Sequence, residues 1–153
     1  MAAESTETSD DSTKPTILVV EDNQVIIRSY RHIFFSMQAL KPYGLMEFES
    51  AWLAMEWLAK VPDARKPVVI ILDWVMEGFD GMNLLEKLKQ DSRWKDIPVL
   101  MVTSNRDKAS VVEACRMGVR DYLIKPLQPM ILAKKIGKIL ANPQETAGQA
   151  SPS

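Results

Sequence analysis

The chain has one cysteine, Cys115, in 153 residues. A lone cysteine excludes an internal disulfide and suits a reducing compartment. Its position on the apolar side of a helix makes it a core residue. The one histidine, His32, lies well away from the apolar stripe of its own helix and reads as a surface residue. Net charge is only -1, which gives no global pull toward nucleic acid or anionic membrane. That charge is uneven: residues 1–14 carry -3 and the remainder carries +2. No apolar run approaches the roughly 18 residues that crossing a bilayer requires, so no membrane insertion is expected. The start of the chain is acidic and polar, which argues against a secretory signal or transit peptide and for a cytoplasmic protein. There is no G-x-x-x-x-G-K-[ST] loop, which excludes a P-loop nucleotide hydrolase. There is also no internal repeat, and no linker that would split the chain.

What is present fits one domain. Apolar content of 46% and charge of 25% are ordinary for a globular chain of this length. Residues 1–14 and 142–153 lack large apolar side chains and are expected to be disordered, leaving an ordered domain over 15–141. Within it, Val68 to Leu72 runs without a polar break and ends on Asp73. A strand covered on both faces of a parallel sheet reads this way. Ile17–Val20 is a second such run and ends in Glu21, Asp22 and Asn23. Leu45–Phe48, Ile97–Val102 and Asp121–Ile124 complete five strands. Helical periodicity follows each one. The first helix presents Ile26, Tyr30, Ile33, Phe34 and Met37. The others are expected over 51–60, 83–90, 107–117 and 129–140. Strict strand–helix alternation predicts an α/β fold: a doubly wound, flavodoxin-like parallel sheet of five strands in the order 2-1-3-4-5, with five helices and a switch point between strands 1 and 3.

Open parallel sheets carry their chemistry at the carboxyl ends of the strands. Those ends supply Glu21 and Asp22, Asp73, Thr103 and Lys125. Strands 1 and 3 are predicted neighbours, so three carboxylates converge. Their mutual repulsion calls for a hard divalent cation, and oxygen ligands of this kind suit Mg2+. Phosphoryl chemistry then becomes natural, with Asp73 as a carboxylate nucleophile, Thr103 as a hydroxyl donor and Lys125 as a cation. In the resting state the lysine would salt-bridge Asp73.

Five segments at the strand ends now stand in order: Val20-Glu21-Asp22-Asn23, Leu72-Asp73-Trp74-Val75-Met76, Asp80-Gly81, Val102-Thr103-Ser104 and Tyr122-Leu123-Ile124-Lys125-Pro126. Together they resemble the receiver domain of two-component response regulators, the family of the single-domain chemotaxis regulator. The resemblance covers about residues 15–141. It implies that Asp73 is the phosphoacceptor. Asp22 and Asp73 would bind Mg2+ directly, Glu21 through water, and the Val75 carbonyl would complete the set. Thr103 would hydrogen-bond the phosphoryl group and Lys125 would pair with it. Tyr122 would be an aromatic switch that turns inward with Thr103, although a plain packing aromatic stays an open reading. The Lys125–Pro126 bond would be cis. Two departures stand out: Met76-Glu77-Gly78 replaces the common Met-Pro, and the acidic pair is Glu-Asp instead of Asp-Asp.

The implied function is a stand-alone signalling module. It would accept a phosphoryl group from a sensor histidine kinase or histidine phosphotransfer protein. It would signal to a downstream protein target, or along a relay, through the surface of the last two helices and the strand between them. Two other readings compete with it. One is an interaction scaffold with a receiver fold and no phosphorylation. The other is an aspartate-based phosphohydrolase, which needs a second acid where Val75 stands. The hydrolytic approach is flanked by Val75, which cannot orient water, and by Asn105, which can. A moderately long-lived phosphoryl group is therefore expected.

Overall fold

Residues 14–76, 78, 80–104 and 108–143 are described by a computed structural model of the chain. Asn105 and nearly all of the two polar tails lie outside the described residues. The strands are β1 (Thr16–Val20), β2 (Gly44–Phe48), β3 (Val69–Asp73), β4 (Val99–Thr103) and β5 (Asp121–Ile124). The helices are α1 (Gln24–Ser36), α2 (Ala51–Lys60), α3 (Gly81–Gln90), α4 (Lys108–Arg116) and α5 (Pro129–Ala141). All strand pairs are parallel, in the order β2-β1-β3-β4-β5. Fold class and strand order are those that the alternation of elements predicts. Among the described residues no helix is long and apolar enough to cross a membrane.

The period of two along each strand divides the core into two halves. Ile17, Val19, Val69, Ile71, Leu100, Val102 and Leu123 pack against Tyr30, Ile33 and Phe34 of α1 and Leu132, Ile136 and Ile139 of α5. Leu18, Val20, Ile70, Leu72, Val99 and Met101 pack against α2, α3 and α4 on the other face. Every residue of β3 and β4 is buried, which explains their unbroken apolar runs. Each buried Leu or Ile contributes about 2 kcal/mol, so these two strands hold the sheet's centre.

The departures from expectation are local. Tyr30, Ile33 and Phe34 are buried as expected on α1, while Ile27 joins them and Ile26 and Met37 are only partly covered. β3 and β4 begin one or two residues later than the apolar runs do, although the Val68 amide already donates to the Thr16 carbonyl and the Pro98 carbonyl accepts from the Ile70 amide. Short 3-10 helices at Gln38–Leu40 and Asp63–Arg65 tighten two connections. Helix α3 starts at Gly81, two residues early, because Asp80 caps it: its Oδ1 accepts the Asn83 N–H at 3.1 Å.

Gly81 fixes how closely α3 approaches the end of β3. A methyl group on its Cα would stand 2.0 Å from the Asp73 carbonyl oxygen and 3.1 Å from the Trp74 Cα. Both obstacles are backbone, so relief requires moving the strand end itself. Gly81→Ala is expected to lower stability by about 3 kcal/mol, read from the urea midpoint at unchanged slope. A loss under a few tenths would show that the approach is slack.

Candidate functional site at the carboxyl edge of the sheet

Sheet register sets the site. Val20 pairs with Leu72, Asp73 with Val102, and Thr103 with Ile124. The next residues of β1 and β5 are Glu21 and Lys125, so four chain segments end on one line. Backbone hydrogen bonds continue past the strands and hold this line: Glu21 donates to the Phe48 carbonyl, Trp74 to Val102 and Lys125 to Thr103. Asn23 starts α1 as its N-cap, with Oδ1 accepting from the Val25 and Ile26 amides. Its own N–H donates to Glu21 Oε1 at 3.2 Å, which orients that carboxylate.

The expected residues do meet. One carboxylate oxygen each from Glu21, Asp22 and Asp73 lies within 4.8 Å of the others. Glu21 and Asp73 are buried, at 1% and 5% exposure, while Asp22 is exposed. Thr103 is buried at the end of β4. The Lys125–Pro126 bond is cis. Val75 turns its side chain outward, and its amide donates to the Asp73 carboxylate. Trp74 folds back into the core beside Met76.

Lys125 differs in detail from expectation. Its Nζ stands 2.9 Å from Glu21 Oε2 and 3.5 Å from Asp73 Oδ1, so the tighter ion pair is with Glu21. The extra methylene of Glu over Asp gives this reach. Even so, Glu21 Oε2 is a buried oxygen that lacks a hydrogen-bond partner of good geometry. One lysine therefore serves two buried acids and satisfies neither fully.

The electrostatics follow from that shortage. Burial, then the neighbouring Glu21 charge, push the Asp73 carboxyl up to about 7, against the pull of Lys125 and the Val75 amide. Tyr30, read in sequence only as part of the α1 stripe, lies beneath the acids. Burial, Glu21 and Asp73 all raise its phenol well above the usual tyrosine range, so it stays protonated. The donor set fits a hard divalent cation: three clustered carboxylates, one with an oxygen awaiting a partner.

This predicts a pH-dependent strain. The folded state holds the Asp73 proton to about pH 7 while the unfolded chain releases it near pH 4. Between those values the folded protein binds more protons, so stability falls as pH rises and the loss is complete above the upper value. Asp73→Asn is therefore expected to stabilise the metal-free protein by up to about 4 kcal/mol near pH 8, and by little near pH 4. Thermal unfolding in chelator across that range checks it. An equal effect at both ends would mean that the gain is not electrostatic.

Comparison with known proteins gives the arrangement a family. The family model for the response regulator receiver domain matches residues 17–137. The chemotaxis protein CheY1 of Helicobacter pylori is 33% identical over 124 residues, covering 81% of this chain and 95% of that protein. Among solved structures, the signal receiver domain of a signal transduction histidine kinase from Syntrophus aciditrophicus aligns with TM-score 0.71 and 26% identity, over 84% of this chain and 91% of that one. The Mn2+-bound form of response regulator Rcp1 aligns with TM-score 0.67 at 24% identity, over 90% and 99%, and shares the fold. By the length and order of these matches, the chain belongs to the response regulator receiver domains, of the kind represented by the CheY chemotaxis proteins.

Proposed function

We propose that residues 15–141 form a phosphoacceptor module in which Asp73 takes a phosphoryl group from a phosphohistidine. The observation that carries this is the convergence of Glu21, Asp22 and Asp73 within 4.8 Å, with Lys125 beside them. The donor is a sensor histidine kinase or a histidine phosphotransfer protein. An Asp73 oxygen attacks phosphorus in line, the P–N bond breaks, and the imidazole leaves with the bonding pair and takes up a proton. The product is an acyl phosphate on Asp73.

Each residue has a task in that step. Asp73 is buried at the end of β3, where a carboxylate oxygen has few competing water contacts and is the nucleophile of the set. The Val75 amide donates to the Asp73 carboxylate and helps to orient it. Lys125, at 3.5 Å, is near enough to move onto a phosphoryl oxygen. Thr103, at the adjacent strand end, offers its hydroxyl to another. Glu21, Asp22, Asp73 and the Val75 carbonyl would hold Mg2+. When bound, the ion neutralises charge on the equatorial oxygens of the transferring group. The output is a change in the face formed by α4, β5 and α5, read by a partner protein or a relay.

The test uses Trp74, which adjoins Asp73 and is buried. Fluorescence is followed through addition of Mg2+ and then beryllofluoride, and a small-molecule phosphodonor is used to label the protein. A metal-dependent signal and one covalent phosphate are expected, both absent in Asp73→Asn. Labelling that persists in Asp73→Asn, or no labelling of a protein that binds Mg2+ by calorimetry, would overturn the assignment. The second result favours a scaffold role for the fold.

A further inference from the structure

The edge strand β5 carries an arrangement that the phosphoacceptor chemistry does not use. Alternation along β5 sends Leu123 into the core shared with α5 and α1, and Asp121 points to the same side. There Lys135 of α5 places Nζ 3.0 Å from both Asp121 oxygens. Asp121 is itself held, because Oδ1 also accepts the Tyr122 N–H at 2.8 Å. The ammonium is thus fixed at the open edge of the sheet. It stands 5.7 Å from the centroid of the Tyr122 ring, within the range of a cation–π contact.

Stability alone is a weak reason for this cluster. The Lys135 and Asp121 side chains are 27% and 29% exposed, and such pairs contribute little. Position is the stronger reason. The Tyr122 ring is 39% exposed and borders a cleft of about 650 Å3 whose other walls include Lys108, Val111, Val112, Ile124 and Pro126. That cleft has room for a ring. A rotation about χ1 between staggered wells moves a tyrosine between such an edge and such a space.

We propose that Lys135 is a positioning residue that holds the Tyr122 ring at the α5 edge and keeps the cleft beside α4 open. Asp121 contributes by fixing the ammonium where the ring can meet it. Removing the charge shifts the ring toward the cleft. At the strength of an exposed cation–π contact, the ratio of the two ring positions changes by about two- to fivefold. The bearing of this on signalling rests on the phosphoacceptor reading, but the ring position itself does not. It is measurable without metal or phosphate.

The experiment labels the three tyrosines with fluorotyrosine and records 19F NMR spectra of the metal-free protein. Tyr122→Phe assigns the resonance, and Tyr30 and Tyr43 serve as internal references. Lys135→Met keeps the aliphatic stem and removes the charge. It is expected to move the Tyr122 resonance and to shrink its solvent isotope shift, as the ring leaves water for the cleft. Lys135→Arg keeps a cation in reach and is expected to restore the native position. Asp121→Asn is expected to move the resonance in the direction of Lys135→Met. An unmoved resonance in Lys135→Met would overturn the proposal. So would a Lys135→Arg spectrum matching Lys135→Met, since the packed stem and not the charge would then place the ring.

Discussion

Two buried acids sharing one lysine is the constraint on which the rest of this protein depends. Glu21 and Asp73 end neighbouring parallel strands, and no parallel sheet of this order can keep those ends apart. Lys125 follows the last residue of β5, across β4 from them, and reaches both. The fold therefore concentrates negative charge where it has least solvent to screen it. A structure that only needed stability would replace such a cluster with apolar side chains. Retaining it makes sense when something positive, and then something that transfers charge, is to be received there.

The division of labour within the cluster follows from one methylene. An aspartate at position 21 would be shorter and would leave Lys125 nearer to Asp73 alone. Glutamate extends to 2.9 Å from the ammonium and takes the larger share of it. Burial raises the Asp73 carboxyl toward neutrality, the like charge of Glu21 adds to this, and the counterion at 3.5 Å and one backbone amide offset it only in part. Burial first, and then the charges of Glu21 and Asp73, raise the Tyr30 phenol and keep its proton on. Gly81 bounds the same segment sterically, since α3 meets the Asp73 backbone so closely that only a residue without Cβ fits.

The sequence made legible whatever depends on periodicity and on strand ends. Val68 to Leu72 could be read as a doubly covered strand because nothing polar interrupts it, and the acids fell on its end by counting. The expected bounds Ala51–Lys60 and Asp121–Ile124 hold to the residue in α2 and β5. Long-range pairing between charged side chains was not legible. Nothing in the chain says that Lys125 prefers Glu21 to Asp73, because that turns on tenths of an ångström in a shared cluster. Nor does it say that Arg93 reaches back to the Leu58 and Ala59 carbonyls and to Asp63, closing the end of α2 from 30 or more residues away. Tyr122 left two readings open because its surroundings come from α5, a different segment of the chain.

These pieces place strong and weak interactions in different parts of one strand. β5 is tied to β4 by a full ladder and, just past its end, by the Lys125 amide on the Thr103 carbonyl, so the site and the strand move together. Tyr122 lies three residues before Lys125 on that same strand. Its ring meets the partly exposed Lys135 ammonium at the sheet's open edge. Elements that must change state belong at the weak end of a protein's stability range. Tyr122 and Lys125 are three residues apart in the chain, one on the β5 ladder and one just past its end. The edge strand thus joins a tightly held site to a loosely held surface within four residues.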